Sequence, residues 1–347
     1  MSSPLDDLLA QFEPAVAKAF RDAIQAIRDS AILRVVTERL ERRDINGAIA
    51  ALQIEPEAFA ALDLSVTEAF NAGGAAAVGD LPALKDADGN RVIFRFGVRN
   101  TAGEAWLQQH SSQFVTLVTD DTKQGLRNIL EARLAQGSNP RTTALDMVGR
   151  INPVTQRREG GILGLTSRQM QTVERARENL LSGDEAALKQ YLALETRDKR
   201  FDRTILAAIR YGKPIPADMV QKIIGRLSDN NLRLRAEMVS RTETMMALST
   251  ARNEAIRQQI SAGKIQAGDV KKIWHTAGDN RVRHTHRALN GKAVGIDEAF
   301  VSPSGARLRY PADPKAPVAE ISGCRCYCQY KVDYFASVER RFLARAV

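Results

Sequence analysis

The chain has 347 residues, of which 44% are hydrophobic and 26% charged, as is usual for folded globular proteins. Aromatic residues make up only 5%, which favours helices over sheets, and the length predicts two or three domains. No run of about 18 apolar residues occurs, so the sequence predicts neither a transmembrane span nor a membrane partner. Charged residues near the start argue against a secretory signal, and the few clustered cysteines fit synthesis in a reducing cytoplasm.

The net charge of +9 is unevenly distributed along the chain. Residues 1–90 contain 8 Lys and Arg against 15 Asp and Glu, whereas the remainder contains 42 basic and 26 acidic residues. An acidic front of −7 and a basic back of +16 indicate different partners for the two parts. The alternative is that both charges belong to ordinary solvated helix faces.

Helical periodicity dominates the sequence up to about residue 70, where apolar residues recur at steps of three and four, as on a helix that buries one face. Residues 71–82 are rich in Gly and Ala, and we predict a boundary or a flexible crossing there. Residues 90–100 alternate apolar and polar side chains, as expected of a strand.

Two further helices are expected in the middle of the chain. One is predicted to start at residues 119–122 and to end near Gly137, where a glycine can take the left-handed conformation. The next is predicted to run from a cap at Thr166 to a stop at Gly183.

The last third begins with a long helical pattern, from about Ala217 to about Ala262. Beyond Gly268, short β-like pieces alternate with turns, which predicts a small α+β domain. Within it, Asp279 is expected to cap a short helix over residues 280–289.

We therefore predict a mainly α protein with a small C-terminal α+β domain, multi-helix N-terminal and middle regions, and a long connecting helix. The predicted segments are an acidic helical region over residues 1–88, a mixed and mostly helical region over 89–230, and a C-terminal segment over 231–347. The last segment combines the long helix with the α+β domain, whose core is predicted at residues 268–335.

The three cysteines of the chain lie at every second position near its end, as Cys324, Cys326 and Cys328. On a strand, alternate residues face one way, so the three thiols would line one surface. Two thiolates with one or two imidazoles could hold a zinc ion. The alternative is a reduced, metal-free cluster in which the thiols pack as small apolar groups, whereas a disulfide between such close neighbours would be strained.

Three of the four histidines, His275, His284 and His286, fall in the same part of the chain as the cysteines. On a helix, residues two apart point to different sides, so at most one of the last two can join the thiols. A zinc site would be formed by Cys324, Cys326 and His286, with His275 as the candidate fourth ligand, whereas the sequence favours the metal-free cluster.

Other kinds of site are poorly supported by the sequence. No phosphate-binding loop and no helix-turn-helix motif is recognised. A nucleophilic arrangement of Cys324, His286 and Asp279 could be drawn, but the glycine turn of an oxyanion hole is missing, so no catalytic residue is predicted. Arginines on the long helix could contact DNA phosphates without reading sequence, or form ion pairs on the helix surface. The candidates for DNA contact are Arg233, Arg235, Arg252 and Arg257.

The tail contains WHTAGDNRVRHTHRALNG at residues 274–291, then a Phe and a Pro-bearing loop, then GCRC at residues 323–326. This order resembles the C-terminal domain of the phage Mu F-like (MuF) minor head proteins, over about residues 230–330. The matching positions are Trp274, Thr276, Asp279, Arg281, Val282, Arg283, His286, Leu289, Gly291, Phe300, Tyr310, Pro311, Asp313, Cys324, Arg325 and Cys326. The triplet Arg241, Thr242 and Glu243 on the preceding helix is also similar to the family's.

The resemblance implies a structural virion protein and not an enzyme. It implies a minor capsid protein inside the head at the portal vertex, made in the cytoplasm of a bacterial host, that acts in head morphogenesis and in DNA packaging or ejection. The implied partners are the portal protein, the major capsid or scaffold protein, and packaged double-stranded DNA bound without sequence preference. Alternatives are a DNA-binding or ejection protein of the virion, and an enzyme that uses the His and Cys residues.

Overall fold

The structure is a computed structural model that describes residues 4–85, 90–97 and 101–334, and most of these residues are helical. The α-helices are α1 (Asp6–Ser30), α2 (Leu33–Glu41), α3 (Ile45–Ala50), α4 (Ala60–Gly79), α5 (Thr101–Ala135), α6 (Pro140–Val148), α7 (Ser167–Ser182), α8 (Glu185–Leu192), α9 (Asp202–Tyr211), α10 (Ala217–Ser261), α11 (His284–Arg287) and α12 (Val318–Ile321). None of the described helices is long and apolar enough to cross a membrane.

The strands are short and antiparallel. They are β1 (Leu84–Lys85), β2 (Arg91–Val92), β3 (Arg150–Ile151), β4 (Arg158–Glu159), β5 (Val270–His275), β6 (Ala293–Gly295), β7 (Phe300–Val301), β8 (Arg307–Leu308) and β9 (Tyr327–Val332). In the C-terminal domain β5 lies between β6 and β9 in a three-stranded sheet, and β7 pairs with β8. The predicted fold class, mainly α with a small C-terminal α+β domain, is confirmed.

Local signals placed the ends of α7 correctly. The Thr166 hydroxyl accepts a hydrogen bond from the backbone N–H of Gln169, whose side-chain oxygen accepts one from the backbone N–H of Thr166. This capping box satisfies two N–H groups that a helix start leaves without partners. At the other end Gly183 has a φ of 68°, the left-handed conformation that a glycine adopts at little cost.

The Gly-rich stretch at residues 71–82 is not a boundary, because α4 runs through it to Gly79. A Cβ atom at Gly73 would lie 3.0 Å from the Cα atom of Leu248 in α10, so the missing side chain lets two helices approach closely. Packing therefore outweighs the low helix propensity of glycine here.

The start of α5 and the strand expected at residues 90–100 also differ from prediction. Helix α5 begins at Thr101, so the Thr122 hydroxyl lies inside the helix and donates to the carbonyl of Val118 one turn earlier. Of the expected strand only β2 forms, residues 93–97 are irregular, and residues 98–100 lie outside the described residues. Phe96 instead packs against Phe70, with ring centroids 5.8 Å apart.

The chain divides into two compact units, each assembled from separate segments. Unit 1 draws on Met1–Ala17, Leu62–Ser111 and Met238–Val347, and unit 2 on Lys18–Ala61 and Ser112–Glu237. The predicted domains are continuous segments that end at residues 88 and 230, and they stay a prediction. The compact units instead combine separate segments of the chain.

Unit 1 contains the hydrophobic core that supports the C-terminal domain. The side chains buried in it come from α10, α12, strands β5, β7, β8 and β9 and the loops beside them. They include Trp274, Leu289, Phe300, Leu308, Tyr310, Met245, Met246, Ile321 and the three cysteines. Leu5, at the start of the chain, packs in the same cluster. The small domain is therefore completed by residues far from it in sequence, as expected where a domain has little core of its own.

Unit 2 is built around helices that bury both apolar and charged side chains. Phe20 and Phe59 pack with ring centroids 6.3 Å apart, and the buried Arg28 guanidinium donates to the carbonyls of Gly161 and Leu163. A buried carboxylate, Asp146, accepts hydrogen bonds from Arg133 and Arg150 and forms an ion pair with Arg177. Such charges are tolerated in a core when they are paired and hydrogen-bonded.

Candidate functional site

A buried cluster of two thiols and one imidazole forms the candidate site of the C-terminal domain. The Sγ atoms of Cys324 and Cys326 lie 3.6 and 3.5 Å from the same ring nitrogen, Nδ1 of His286. The three side chains are 1%, 2% and 1% exposed, respectively. Among the described residues, they form a group whose donor atoms all lie within 4.8 Å of one another.

The backbone around α12 brings the two cysteines to the histidine. Gly323, with a φ of 62°, turns the chain directly after α12, and its N–H donates to the hydroxyl of Thr242 on α10. Cys324 and Cys326 then follow in the segment that leads into β9, where Cys328 lies. The expectation that all three cysteines share one strand is therefore wrong, because the turn at Gly323 delays the strand until residue 327.

His286 enters the cluster from α11. This helix spans only His284–Arg287, and the expected helix over residues 280–289 capped by Asp279 does not form. The Asp279 carboxylate accepts from the backbone N–H of Arg281 and forms two short contacts with the Arg325 guanidinium, at 2.6 and 2.7 Å. His284 is exposed and His286 is buried, so the two rings lie on different sides, as predicted.

The opposite nitrogen of the His286 ring faces a carboxylate. Its Nε2 atom lies 2.9 Å from Oε2 of Glu320, a close contact that is not a well-directed hydrogen bond. Glu320 also accepts from the hydroxyls of Thr285 at 3.0 Å and Ser304 at 2.5 Å. Burial alone would raise the pKa of Glu320, but the hydrogen bonds from Ser304 and Thr285 outweigh it and lower the pKa, which favours the carboxylate.

The two thiols are electrostatically unequal. A hydrogen bond from Cys326 and the neighbouring His286 ring lower the pKa of Cys324 well below its ordinary value. The interaction with Cys324, together with burial, raises the pKa of Cys326. The interaction between the two thiols therefore moves their pKa values in opposite directions.

The remaining sequence-predicted ligand, His275, is not part of the cluster. It lies on β5, stacks on the Tyr327 ring at 5.1 Å, and places its Nε2 atom 3.2 Å from the side-chain oxygen of Gln329. Cys328 lies on β9 opposite Trp274, and burial raises the pKa of its thiol to about 12. His275 thus has other partners, and the Cys328 thiol stays neutral.

The residues that carry the family resemblance line the core around this cluster. The Trp274 ring is fully buried and meets the rings of His286 and Phe300 edge to face, each at 5.1 Å. Gly291, with a φ of 77°, donates its N–H to the carbonyl of Trp274 in β5. Arg283 donates to the carbonyl of Ser322, which joins the α11 segment to the turn before the cysteines.

Other residues that carry the family resemblance lie in loops and on helix α10. The fully buried Tyr310 donates to the hydroxyl of Thr250, while Leu289 and Pro311 are buried. On α10, Arg241 lies 3.6 Å from the Glu13 carboxylate, and Glu243 lies 2.5 Å from Nε2 of His110. These side chains are buried or make local polar contacts.

The arginines proposed for DNA contact do not form one surface. Arg235 is buried in unit 2, where its guanidinium donates to the carbonyl of Gly164 at 2.8 Å, and Arg252 is buried in unit 1, 2.9 Å from Asp80. The expectation is corrected for these two, because a buried guanidinium bound to protein acceptors does not reach an external phosphate. Arg233 is exposed, and Arg257 is half-buried, 3.0 Å from Asp297.

Sequence reasoning missed Glu320 and the contact of Glu243 with His110. Glu320 lies four residues before Cys324, and no local pattern marks it as a partner of His286. His110 and Glu243 are 133 residues apart, so only the folded chain brings them together.

Comparisons with known proteins include a family model that matches the same region of the chain. The family model described as "Phage Mu protein F like protein" matches residues 199–329. The protein YqbB of Bacillus subtilis (strain 168), described as uncharacterized, is 34% identical over 103 residues, which cover 29% of this chain and 32% of that protein. The minor head protein GP7 of Bacillus phage SPP1 is 31% identical over 111 residues, which cover 28% of this chain and 35% of that protein.

The chain thus matches about a third of the length of these curated relatives. No solved structure gives a significant match. The matched region contains the buried thiol–imidazole cluster and the residues of the motif from Trp274 to Cys326. Residues 199–329 of this chain therefore belong to the phage Mu protein F-like family.

Proposed function

We propose that this chain is a structural minor head protein of a tailed phage or prophage and acts in head morphogenesis. The observation that carries the proposal is the family match at residues 199–329, and the similarity of the chain to a minor head protein of a phage adds to it. The burial of the motif supports a structural role. Trp274, Phe300 and Tyr310 form a core, and the Cys324, Cys326 and His286 side chains are too buried to meet a substrate.

The proposed location is the capsid interior at the portal vertex, with the portal protein as partner and the major capsid or scaffold protein as neighbour. In this proposal the protein acts in DNA packaging or ejection, and the acidic front of the chain docks to the portal. Charge complementarity would then fix the orientation of the two proteins and speed their association.

Co-expression with the portal protein of the same phage or prophage, followed by native mass spectrometry, tests the proposal. Truncation at residue 88 is a poor test, because it removes Leu5 from the core of unit 1. The exposed residues Glu41, Glu55 and Glu57 are better targets, and their replacement by lysine is expected to abolish the portal complex.

A matched control reverses the same number of charges elsewhere. Replacement of Glu131, Glu178 and Glu195 by lysine, all exposed and outside the acidic front, is expected to leave the complex intact. If the unmodified chain forms no complex with the portal, the portal proposal fails. If both triple variants bind equally well, docking through the acidic front is excluded.

A second candidate function is contact with packaged DNA, favoured by the charge of +16 on residues 91–347. Binding to double-stranded DNA without sequence preference is expected to weaken as salt rises, because phosphate neutralisation releases counterions. Fluorescence anisotropy with a labelled duplex would measure this dependence. Replacing exposed Arg233 by alanine is expected to reduce the slope of log K against log salt by about 0.9 if it contacts a phosphate. No measurable affinity at low salt would exclude DNA as a direct partner.

A further inference from the structure

We propose that Cys324, Cys326 and His286 bind one zinc ion. The proposal rests on the cluster itself and is independent of the proposed role in the phage head. Thiolates and imidazole are the donors that zinc prefers in protein sites, and all three donor atoms here converge on one small volume.

The distances within the cluster fit a shared metal ion. Zinc–sulfur bonds of about 2.3 Å and zinc–nitrogen bonds of about 2.0–2.1 Å, at a tetrahedral angle, place sulfur and nitrogen about 3.6 Å apart. The observed separations of Nδ1 of His286 from Cys324 and Cys326 are 3.6 and 3.5 Å. Both cysteines therefore stand where two ligands of one ion would stand relative to the third.

A hydrogen bond to Nδ1 of His286 explains one of the two sulfur–nitrogen separations but not both. The Nδ1 atom carries either one hydrogen or one lone pair, so it makes one good hydrogen bond and not two. Yet Cys324 and Cys326 lie at nearly equal distances from it. An ion between the three atoms accounts for both separations at once.

The surroundings of His286 match the outer layer of a metal site. A metal-bound imidazole usually presents its second nitrogen to a carboxylate or carbonyl, which fixes the ring and increases its basicity. Glu320 occupies that position, 2.9 Å from Nε2, and is itself held by the hydroxyls of Thr285 and Ser304. This leaves Nδ1 as the nitrogen directed at the thiols.

Charge balance also favours a divalent ion in this buried place. Two thiolates buried side by side would repel each other, and burial makes an uncompensated charge costly. A zinc ion of charge +2 neutralises two thiolates. His275 and Cys328 lie outside the cluster, so the fourth position would be taken by a small ligand such as water.

The metal content of the full-length protein tests the proposal. Protein expressed with added zinc, purified under reducing conditions and measured by native and elemental mass spectrometry is expected to carry one zinc per chain. The double substitution Cys324→Ala and Cys326→Ala is expected to remove it, whereas the control Cys328→Ala, which deletes a buried thiol nearby, is expected to retain it. His275→Ala is also expected to retain the ion.

A second measurement covers the case in which the double variant does not fold. Cobalt(II) added to the metal-free wild-type protein should give the near-ultraviolet absorption of thiolate-to-cobalt charge transfer, and zinc should displace it. Glu320→Gln is expected to weaken zinc binding by about 10- to 100-fold in competition with a chelator. Wild-type protein that stays metal-free after incubation of the reduced chain with zinc and cobalt would overturn the proposal, as would full zinc content in a folded double variant.

Discussion

Replacing Trp274 by alanine is expected to lower the free energy of unfolding by about 3–5 kcal/mol, the usual cost of deleting a large buried aromatic side chain. The ring is fully buried and lies between His286 and Phe300, at 5.1 Å from each. Its removal leaves a cavity in the core that also holds the three cysteines. Urea denaturation followed by far-ultraviolet circular dichroism would measure the loss.

Two further variants show whether the loss comes from the cavity. Trp274→Phe keeps an aromatic ring and is expected to cost less than the alanine variant, because it leaves a smaller cavity. Val318→Ala, in the same unit but at a side chain that is 73% exposed, is expected to change stability by at most about 0.5 kcal/mol. A Trp274→Ala protein as stable as the wild type would contradict the view that the family motif builds a core.

The stability of the Trp274→Ala variant indicates whether the family motif stabilises the domain or forms an interface. If Trp274, Phe300 and Tyr310 stabilise the domain, their recurrence in the motif reflects folding and not chemistry. A variant that folds normally but fails to associate with the portal would instead assign the motif to an interface. Stability and portal binding measured on the same variant therefore separate the two roles.

The sequence predicted those features whose physical cause is local. The capping box at Thr166, the left-handed Gly183 and the ends of the long helix α10 all depend on neighbouring residues, and the structure places them as predicted. Periodicity likewise identified β5, whose side chains alternate between buried and half-exposed or exposed positions. These local patterns predict the structure correctly because tertiary contacts favour the same helix ends and the same strand.

Features that depend on distant residues could not be predicted. The glycines at positions 73 and 74 read as a break in the helix, yet they allow close contacts with Leu248 and Phe96. Arg252 reads as a surface cation, but folding places it beside Asp80, 172 residues earlier. No local sequence pattern indicates the glycine contacts or the contact of Arg252 with Asp80.

The candidate site shows the same division. Its three donors were recognisable because cysteine and histidine are scarce in this chain and cluster near its end. The choice between His286 and His275 needed the structure, which places His275 against Tyr327 and Gln329. Glu320 was missed, because a single glutamate among loops carries no signal of the ring it faces.

Replacing Asp146 by alanine is expected to lower the free energy of unfolding at neutral pH by about 3–5 kcal/mol, as for other buried ion pairs that lose one partner. The carboxylate is 2% exposed and lies 2.9 Å from Arg133, 3.1 Å from Arg177 and 2.8 Å from Arg150. Its loss leaves Arg177, whose side chain is only 15% exposed, without its nearest carboxylate.

The loss of stability caused by Asp146→Ala should become smaller as the pH falls. Burial alone would raise the pKa of Asp146, but Arg177 and Arg133 outweigh it, so the folded-state pKa lies below the ordinary value of 3.8. A carboxyl group whose pKa is lower in the folded chain than in the unfolded chain contributes its full stabilisation at any pH above the unfolded-state pKa. This contribution is lost as the pH falls through the folded-state pKa. The difference in unfolding free energy between wild type and Asp146→Ala is thus expected to be largest near neutral pH and to shrink below pH 3.8.

Asp22 provides the matched control, because it is an exposed aspartate in the same unit that forms an ion pair with Lys18 one helical turn away. Asp22→Ala is expected to cost at most about 0.5 kcal/mol, since solvent screens such pairs. Urea titrations of the three proteins at several pH values would give both the size of each effect and its pH dependence. An Asp146→Ala penalty that stayed constant into strong acid would show that lost packing, and not the charged network with the arginines, is what holds this part of unit 2 together.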